Sequence, residues 1–172
     1  MVADGSSCVT RDATKPVREH LYRITVTWTG NAGTGTSAYR EYRRDHEIAA
    51  PGKAVIPGSS DPHFRGDPSR WNPEELLVAS ISTCHELWYL HLCSAAHVVV
   101  TAYEDRAEGT MVENADGSGR FTRVVLHPRV TISPQSDRTR AIALHREAHA
   151  MCFIANSVSF PIEHEPTIVV GS

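Results

Sequence analysis

Asn72-Pro73-Glu74-Glu75 opens an apolar run from Leu76 to Ala96, and this junction constrains the fold more than any other segment. Asparagine is a strong helix N-cap, and proline costs nothing at the first helical position. Glu75 stands where a capping-box acid returns a bond to the cap. Glu74 and Glu75 also complement the positive end of the helix dipole. The spacing predicts a helix to about Ala96, with Leu77, Ile81, Cys84, Trp88, His91 and Ala95 sharing one face at steps of three and four. Leu76, Leu87, Leu90 and Leu92 cover much of the rest, so this helix is expected to be central, packed on a sheet and on a partner.

Ser80, Cys84, His85, Glu86 and His91 interrupt the run, which marks a buried helix rather than a membrane span. A chain of 172 residues is about one domain and buries enough surface to fold without disulfides. A formal charge of -3, with no run of Lys or Arg, leaves no electrostatic footprint for nucleic acid or a membrane surface. Residues 1–15 lack the apolar core of a secretory signal, so a cytoplasmic protein is expected. Four cysteines in a reducing compartment point to chemistry or packing before a structural staple.

Residues 1–18 are expected to form a flexible tail and 19–172 a single domain. Leu21–Trp28 alternates as a strand, Thr29–Gly33 reads as a turn, and Thr34–Arg40 is expected to return as the second strand of a hairpin. Short strands are expected around Pro51-Gly52, and an irregular loop over 57–71. Val98–Ala107 and Phe121–Ile132 read as strands, with a turn at Asn114–Gly119 between them. Pro128 suggests an edge or a bend. Ser136 or Asp137 caps a second helix over about Arg138–Ala150, a short helical piece follows at Cys152–Val158, and Pro161–Val170 closes the chain as a strand. This order gives an α+β class, with antiparallel sheets packed on two long helices.

Cys84 in an apolar helix is either a small core residue or a nucleophile, and Cys152 admits the same two readings. Cys93 follows Cys84 by nine residues and falls on the opposite helical face. Cys8 lies in the tail. His145, His149 and Cys152 stand at steps of four and three, a spacing that suits a metal, although no fourth ligand is evident. His85-Glu86 begins like a zinc-protease helix, but Tyr89 stands where the second His belongs. Hydrogen-bonded or solvent-facing histidines are the plainer reading, and His91 is either a pocket wall or a satisfied core residue.

Two segments together resemble the OsmC/Ohr family of thiol-dependent peroxidases. They are Asn72-Pro73-Glu74-Glu75-Leu76-Leu77 running to Cys84-His85, and His149-Ala150-Met151-Cys152-Phe153. Trp28–Thr36 looks like the family's opening hairpin and Phe160-Pro161-Ile162 like its last strand, so the likeness spans about residues 20–170. The resemblance implies an OsmC-like fold in an intertwined homodimer with no bound cofactor. It makes Cys84 the peroxidatic thiol and Cys152 the resolving thiol, acting on small organic hydroperoxides and reduced by an external, lipoyl-type dithiol. The family also supplies a Glu and an Arg. Glu74 matches the first, with a plain helix-dipole acid as the alternative. Ten helical residues amount to ~15 Å of rise and roughly 80° of rotation, so Glu74 and Cys84 of one helix do not meet unless a two-fold partner supplies one of them. No Arg stands near Asn31-Ala32, where shorter members carry it. Arg44, in Arg44-Asp45-His46, is the substitute, against the reading of a surface Arg paired with Asp45. A non-catalytic redox sensor of the same fold and a metal-binding module are the remaining alternatives.

Overall fold

The computed structural model describes residues 18–171, and the tail, with Cys8, falls outside them except for its last residue. The first helix, α1, runs Pro73–Ala95 and carries the full capping box: Asn72 Oδ1 accepts from the Glu75 amide at 2.7 Å, and Glu75 Oε2 accepts from the Asn72 amide at 3.2 Å. It ends in a Schellman-type reversal at His97, whose φ of 58° is left-handed. The Val98 amide reaches back to the Cys93 carbonyl at 2.9 Å and the His97 amide to Ser94 at 3.2 Å, while Val98 packs in the same buried cluster as Cys93. The second helix, α2, spans Arg138–Met151. Asp137 is its cap and accepts from Thr139 and Arg140, whereas Ser136 Oγ accepts from the Val99 amide instead. At 14 residues against 23, only one of the two helices is long. No helix among the described residues is long and apolar enough to cross a membrane.

The strands follow a plan that the hydropathy pattern conceals. β1 is Thr25–Trp28, β2 His46–Ala49 and β3 Ile56–Gly58, an antiparallel sheet in that order. β4 (Val100–Asp105) and β5 (Glu108–Glu113) come from one stretch. β6 (Gly119–Leu126) and β7 (Pro128–Ile132) come from a second, and β8 (Ile162–His164) and β9 (Thr167–Val170) from a third. They form two sheets, β4-β7-β9 and β5-β6-β8, each with one antiparallel and one parallel pairing, so the architecture is mixed rather than antiparallel. All three stretches break at the same level, at Arg106-Ala107, His127 and Glu165-Pro166. Pro128 starts β7, a central strand, so it marks the bend and not an edge.

The break divides the interior. Ile81 of α1 packs with Val124, Leu126, Leu77, Val78, Phe121 and Ile162 in one core. Tyr89 and Cys93 pack with Val98, Val130, Ile132, Ala141, Leu144, Ala148 and Ile168 in the other. Polar groups gather at the level between them. Asp105 accepts from Ser82 Oγ with one carboxylate oxygen and from the His127 amide with the other, and the Glu165 amide donates to Leu126 O. These bonds satisfy amides that the broken ladders leave open.

Thr34–Arg40 forms no strand. Asn31 Oδ1 accepts from the amides of Gly33 and Gly35 at 2.8 and 3.0 Å, and both glycines take positive φ. This Asx-type turn uses the amides that a hairpin ladder needs. β1 pairs with β2 instead, Thr25 opposite Ala49 and Trp28 opposite His46. The junction is tight at Gly30, where an added Cβ would lie 1.9 Å from the Arg43 carbonyl oxygen. Leu21, Ile24 and Val26 on this arm are 72, 63 and 57% exposed.

Candidate active site: a thiol pair between two cores

The buried stripe of α1 is Ile81, His85, Tyr89 and Cys93, one position round from the expected Leu77–Cys84–Trp88 face. Cys84 is therefore half-buried at the margin, and His91 and Ala95 are exposed. Cys152 is the C-cap of α2 and only 1% exposed. Its amide donates to His149 O, and the backbone and side-chain amides of Asn156 both hold its carbonyl, at 3.0 and 2.9 Å. The Cys84 side chain is its neighbour. Burial first, and then the hydrogen bond with the Cys84 thiol, push the Cys152 thiol up to about 11, partly offset by the amides of Ala155 and Ile154. Cys152 is thus a neutral thiol at neutral pH, with the Ala155 amide 3.4 Å from its sulfur. Cys84, Cys93 and Cys152 are all free thiols. Cys93 lies on the other side of α1, buried beside Tyr89, and burial raises its pKa.

The rim of the thiol pair is apolar. Trp88 meets Phe153 edge-on at 5.6 Å, Phe153 and Leu87 are each 68% exposed, and Leu87, Trp88 and His91 line a shallow depression. Below it lie four histidines. His85 Nε2 and His145 Nδ1 are 3.0 Å apart, and His164 lies tilted 5.7 Å from His85 and stacks 5.8 Å from His149. Burial holds His85 down to about 4 and His145 to about 3, so both rings are neutral. No group of three His, Cys, Asp or Glu among the described residues is disposed to hold a metal. His145 turns its Nδ1 to His85, and Cys152 neighbours Cys84. The His85–His145 pair was missed at the level of sequence, although the four-residue steps from Ile81 through His85 and Tyr89 to Cys93 carry its signal.

Glu74 and Arg44 stand apart from the thiols in the protomer. Glu74 lines a cavity of about 610 Å³ with Asp61, Ser82, Asp105, Phe121 and others, and Cys84 is not part of its wall. Glu74 Oε2 is buried there without a hydrogen-bond partner. Arg44 is clamped in the arm: its guanidinium carbon sits 4.3 Å from the Tyr39 ring centre and 4.2 Å from that of Tyr42. Its nitrogens donate to Tyr42 O at 2.6 Å and Tyr39 O at 3.0 Å. Asp45 pairs with Arg43 and Arg70 rather than with Arg44.

Comparison with known proteins identifies the family of this fold. The family described as OsmC-like protein matches residues 66–167. No curated protein sequence matches the chain. Among solved structures, an OsmC-like protein of unknown function from Vibrio cholerae superposes with a TM-score of 0.78 at 31% identity, over 87% of this chain and 100% of that one. An organic hydroperoxide resistance protein from Elizabethkingia anophelis aligns at 20% identity and a TM-score of 0.63, over 90% of this chain and 100% of its own. One from Legionella pneumophila aligns at 17% and 0.62, over 88% and 100%. The chain belongs to the OsmC-like protein family.

Proposed function

We propose that the protein is a thiol-dependent peroxidase that reduces organic hydroperoxides to alcohols in the cytoplasm. What supports the reading is the proximity of Cys84 on α1 to Cys152 at the end of α2, under an apolar rim. The Cys84 thiolate attacks the distal peroxide oxygen, the O–O bond breaks, and the alkoxide takes a proton and leaves as alcohol. Cys152 then attacks the sulfenic sulfur, water departs with the Cys152 proton, and a disulfide remains. An external dithiol, lipoyl-type in this reading, returns two electrons and completes the cycle. Trp88, Phe153 and Leu87 favour apolar peroxides by excluding water.

The same reading makes the working unit a homodimer. Glu74 carries a buried, unpartnered carboxylate oxygen, and a carboxylate in that state needs a cation or a donor. Arg44 is a pre-oriented guanidinium whose described partners are only carbonyls and rings. A partner copy that brings Arg44 and Glu74 to each other and to Cys84 completes the site, and the exposed apolar residues of the arm provide surface for such pairing.

Turnover decides between an enzyme and a sensor. With cumene hydroperoxide and dihydrolipoamide, the wild-type protein should consume many equivalents of peroxide and Cys84→Ser none. Full turnover by Cys84→Ser ends the peroxidase reading, and a single stoichiometric oxidation marks a redox switch.

A further inference from the structure

Besides the neighbouring thiols, two side-chain hydrogen bonds join α1 to α2. Tyr89 Oη donates to Ala141 O at 3.1 Å, and His85 Nε2 meets His145 Nδ1 at 3.0 Å. The two rungs are one turn apart on each helix, running in opposite directions, as antiparallel helices require. The imidazole planes differ by 8° with centres 5.3 Å apart, so with nitrogens at 3.0 Å the rings meet edge to edge. The Tyr89 ring lies on His145 at 3.8 Å and ties the rungs together.

This pair is costly as a stabilising device. His85 and His145 are 1 and 0% exposed, and their outer nitrogens, His85 Nδ1 and His145 Nε2, have no partner. Removing both members of such a pair in favour of apolar groups is close to neutral for stability. Its use is in specificity. Ala141, Leu144 and Ala148 offer α1 a smooth apolar ridge that fits at registers a turn, ~5.4 Å, apart. A directional bond between two fixed rings fits at one register only.

The thiols depend on that register. Cys84 immediately precedes His85, and Cys152 stands just past the end of α2, seven positions after His145. A slide of one turn carries Cys152 ~5.4 Å away, beyond the separation a disulfide spans. We infer that the His85–His145 hydrogen bond is a positioning device that fixes α2 on α1 and so keeps Cys152 within reach of oxidised Cys84. The inference rests on the peroxidase reading. When resolution is on time, Cys84 sulfenic acid and the Cys152 thiol give a disulfide and water. When it is late, a second hydroperoxide oxidises the sulfenic acid to sulfinic acid and is itself reduced to alcohol.

Intact-mass spectrometry after cumene hydroperoxide treatment reads the ratio of disulfide to sulfinic acid. In the His85→Leu/His145→Leu double variant, which keeps an apolar interface, the melting temperature should hold while the ratio shifts about tenfold towards sulfinic acid, the worth of one lost hydrogen bond. His85→Gln places an amide where Nε2 was and should restore the ratio to within about threefold, whereas His85→Asn is too short to reach and should not. A folded double variant with the wild-type ratio, or Gln and Asn variants that behave alike, overturns the positioning role. Wild-type protein that forms no disulfide at all overturns the peroxidase reading instead.

Discussion

Ser82 of α1 and Asp105 at the end of β4 are joined by a hydroxyl–carboxylate hydrogen bond of 2.5 Å, two residues before Cys84. The other Asp105 oxygen accepts from the His127 amide at 2.7 Å, so one carboxylate pins α1 to the level where the sheets break. Asp105→Ala removes both bonds and orphans a backbone amide, at a cost of about 2–3 kcal/mol, while Ser82→Ala removes one bond and costs about 1 kcal/mol. Urea unfolding of the two variants gives the comparison. Equal losses would show that the His127 contact carries no weight.

Acid should weaken the fold through the buried imidazoles. His85, His145 and His164 are all held below the ordinary histidine value, chiefly by burial. His149 and Arg146, on α2, press the same way on this cluster. A base with a depressed native pKa refuses protons that the unfolded chain accepts. The full stability is therefore present above the unfolded value of 6.5 and is lost as pH falls from there towards about 4. At pH 5 the loss is on the order of 2 kcal/mol for each of His85 and His145. Urea midpoints at pH 7.5 and 5.0 should separate strongly for the wild type and much less for the His85→Leu/His145→Leu variant. An equally steep fall in that variant assigns the acid sensitivity to other groups.

The three described cysteines should divide cleanly by role. Cys152→Ser should allow one round of peroxide consumption, then stall with Cys84 as sulfenic or sulfinic acid. Cys93→Ala should turn over like the wild type, with a stability loss of about 1 kcal/mol from its small core void. A Cys93-containing disulfide in peptide maps of the oxidised wild type would contradict this division.

Complementation tests whether a site is shared between two chains. On the proposed dimer, Glu74→Ala and Cys84→Ser should each disable every site in their own homodimers. In a purified heterodimer of the two, one of the two sites regains both residues, and about half of the wild-type rate should return. If Glu74 serves its own chain's Cys84, or neither residue acts in the reaction, the heterodimer stays at the level of the parents.

What the sequence discloses here follows the range of the interaction that encodes it. Asn72, Glu75 and Asp137 announce their helices because each cap is satisfied within three residues. The left-handed His97 that ends α1 was not legible, since glycine is the usual sign of that conformation. The buried face of α1 was misjudged by one position because His85 and Tyr89 count as polar until His145 and the Ala141 carbonyl are known to meet them. The strand Thr34–Arg40 was expected where the side chain of Asn31 consumes the amides of Gly33 and Gly35. Parallel pairing of Ile162–His164 with β6 and of Thr167–Val170 with β7 has no local signature, because alternation reads alike in either direction. The cysteine segments remained the clearest lead to the site, and the histidine contacts between the helices were the least visible part of it.

The division of the interior at Arg106, His127 and Glu165 has a mechanical consequence. Ile81 belongs to one oily compartment and Tyr89 to the other, with Cys84 and His85 on the short stretch of helix between them. Cys84 is half-buried at the margin of α1 rather than inside either compartment, so an oxygen added there by oxidation does not require either compartment to open. Amide exchange should accordingly show two separately protected blocks, and redox cycling should loosen the partition between them while leaving both closed.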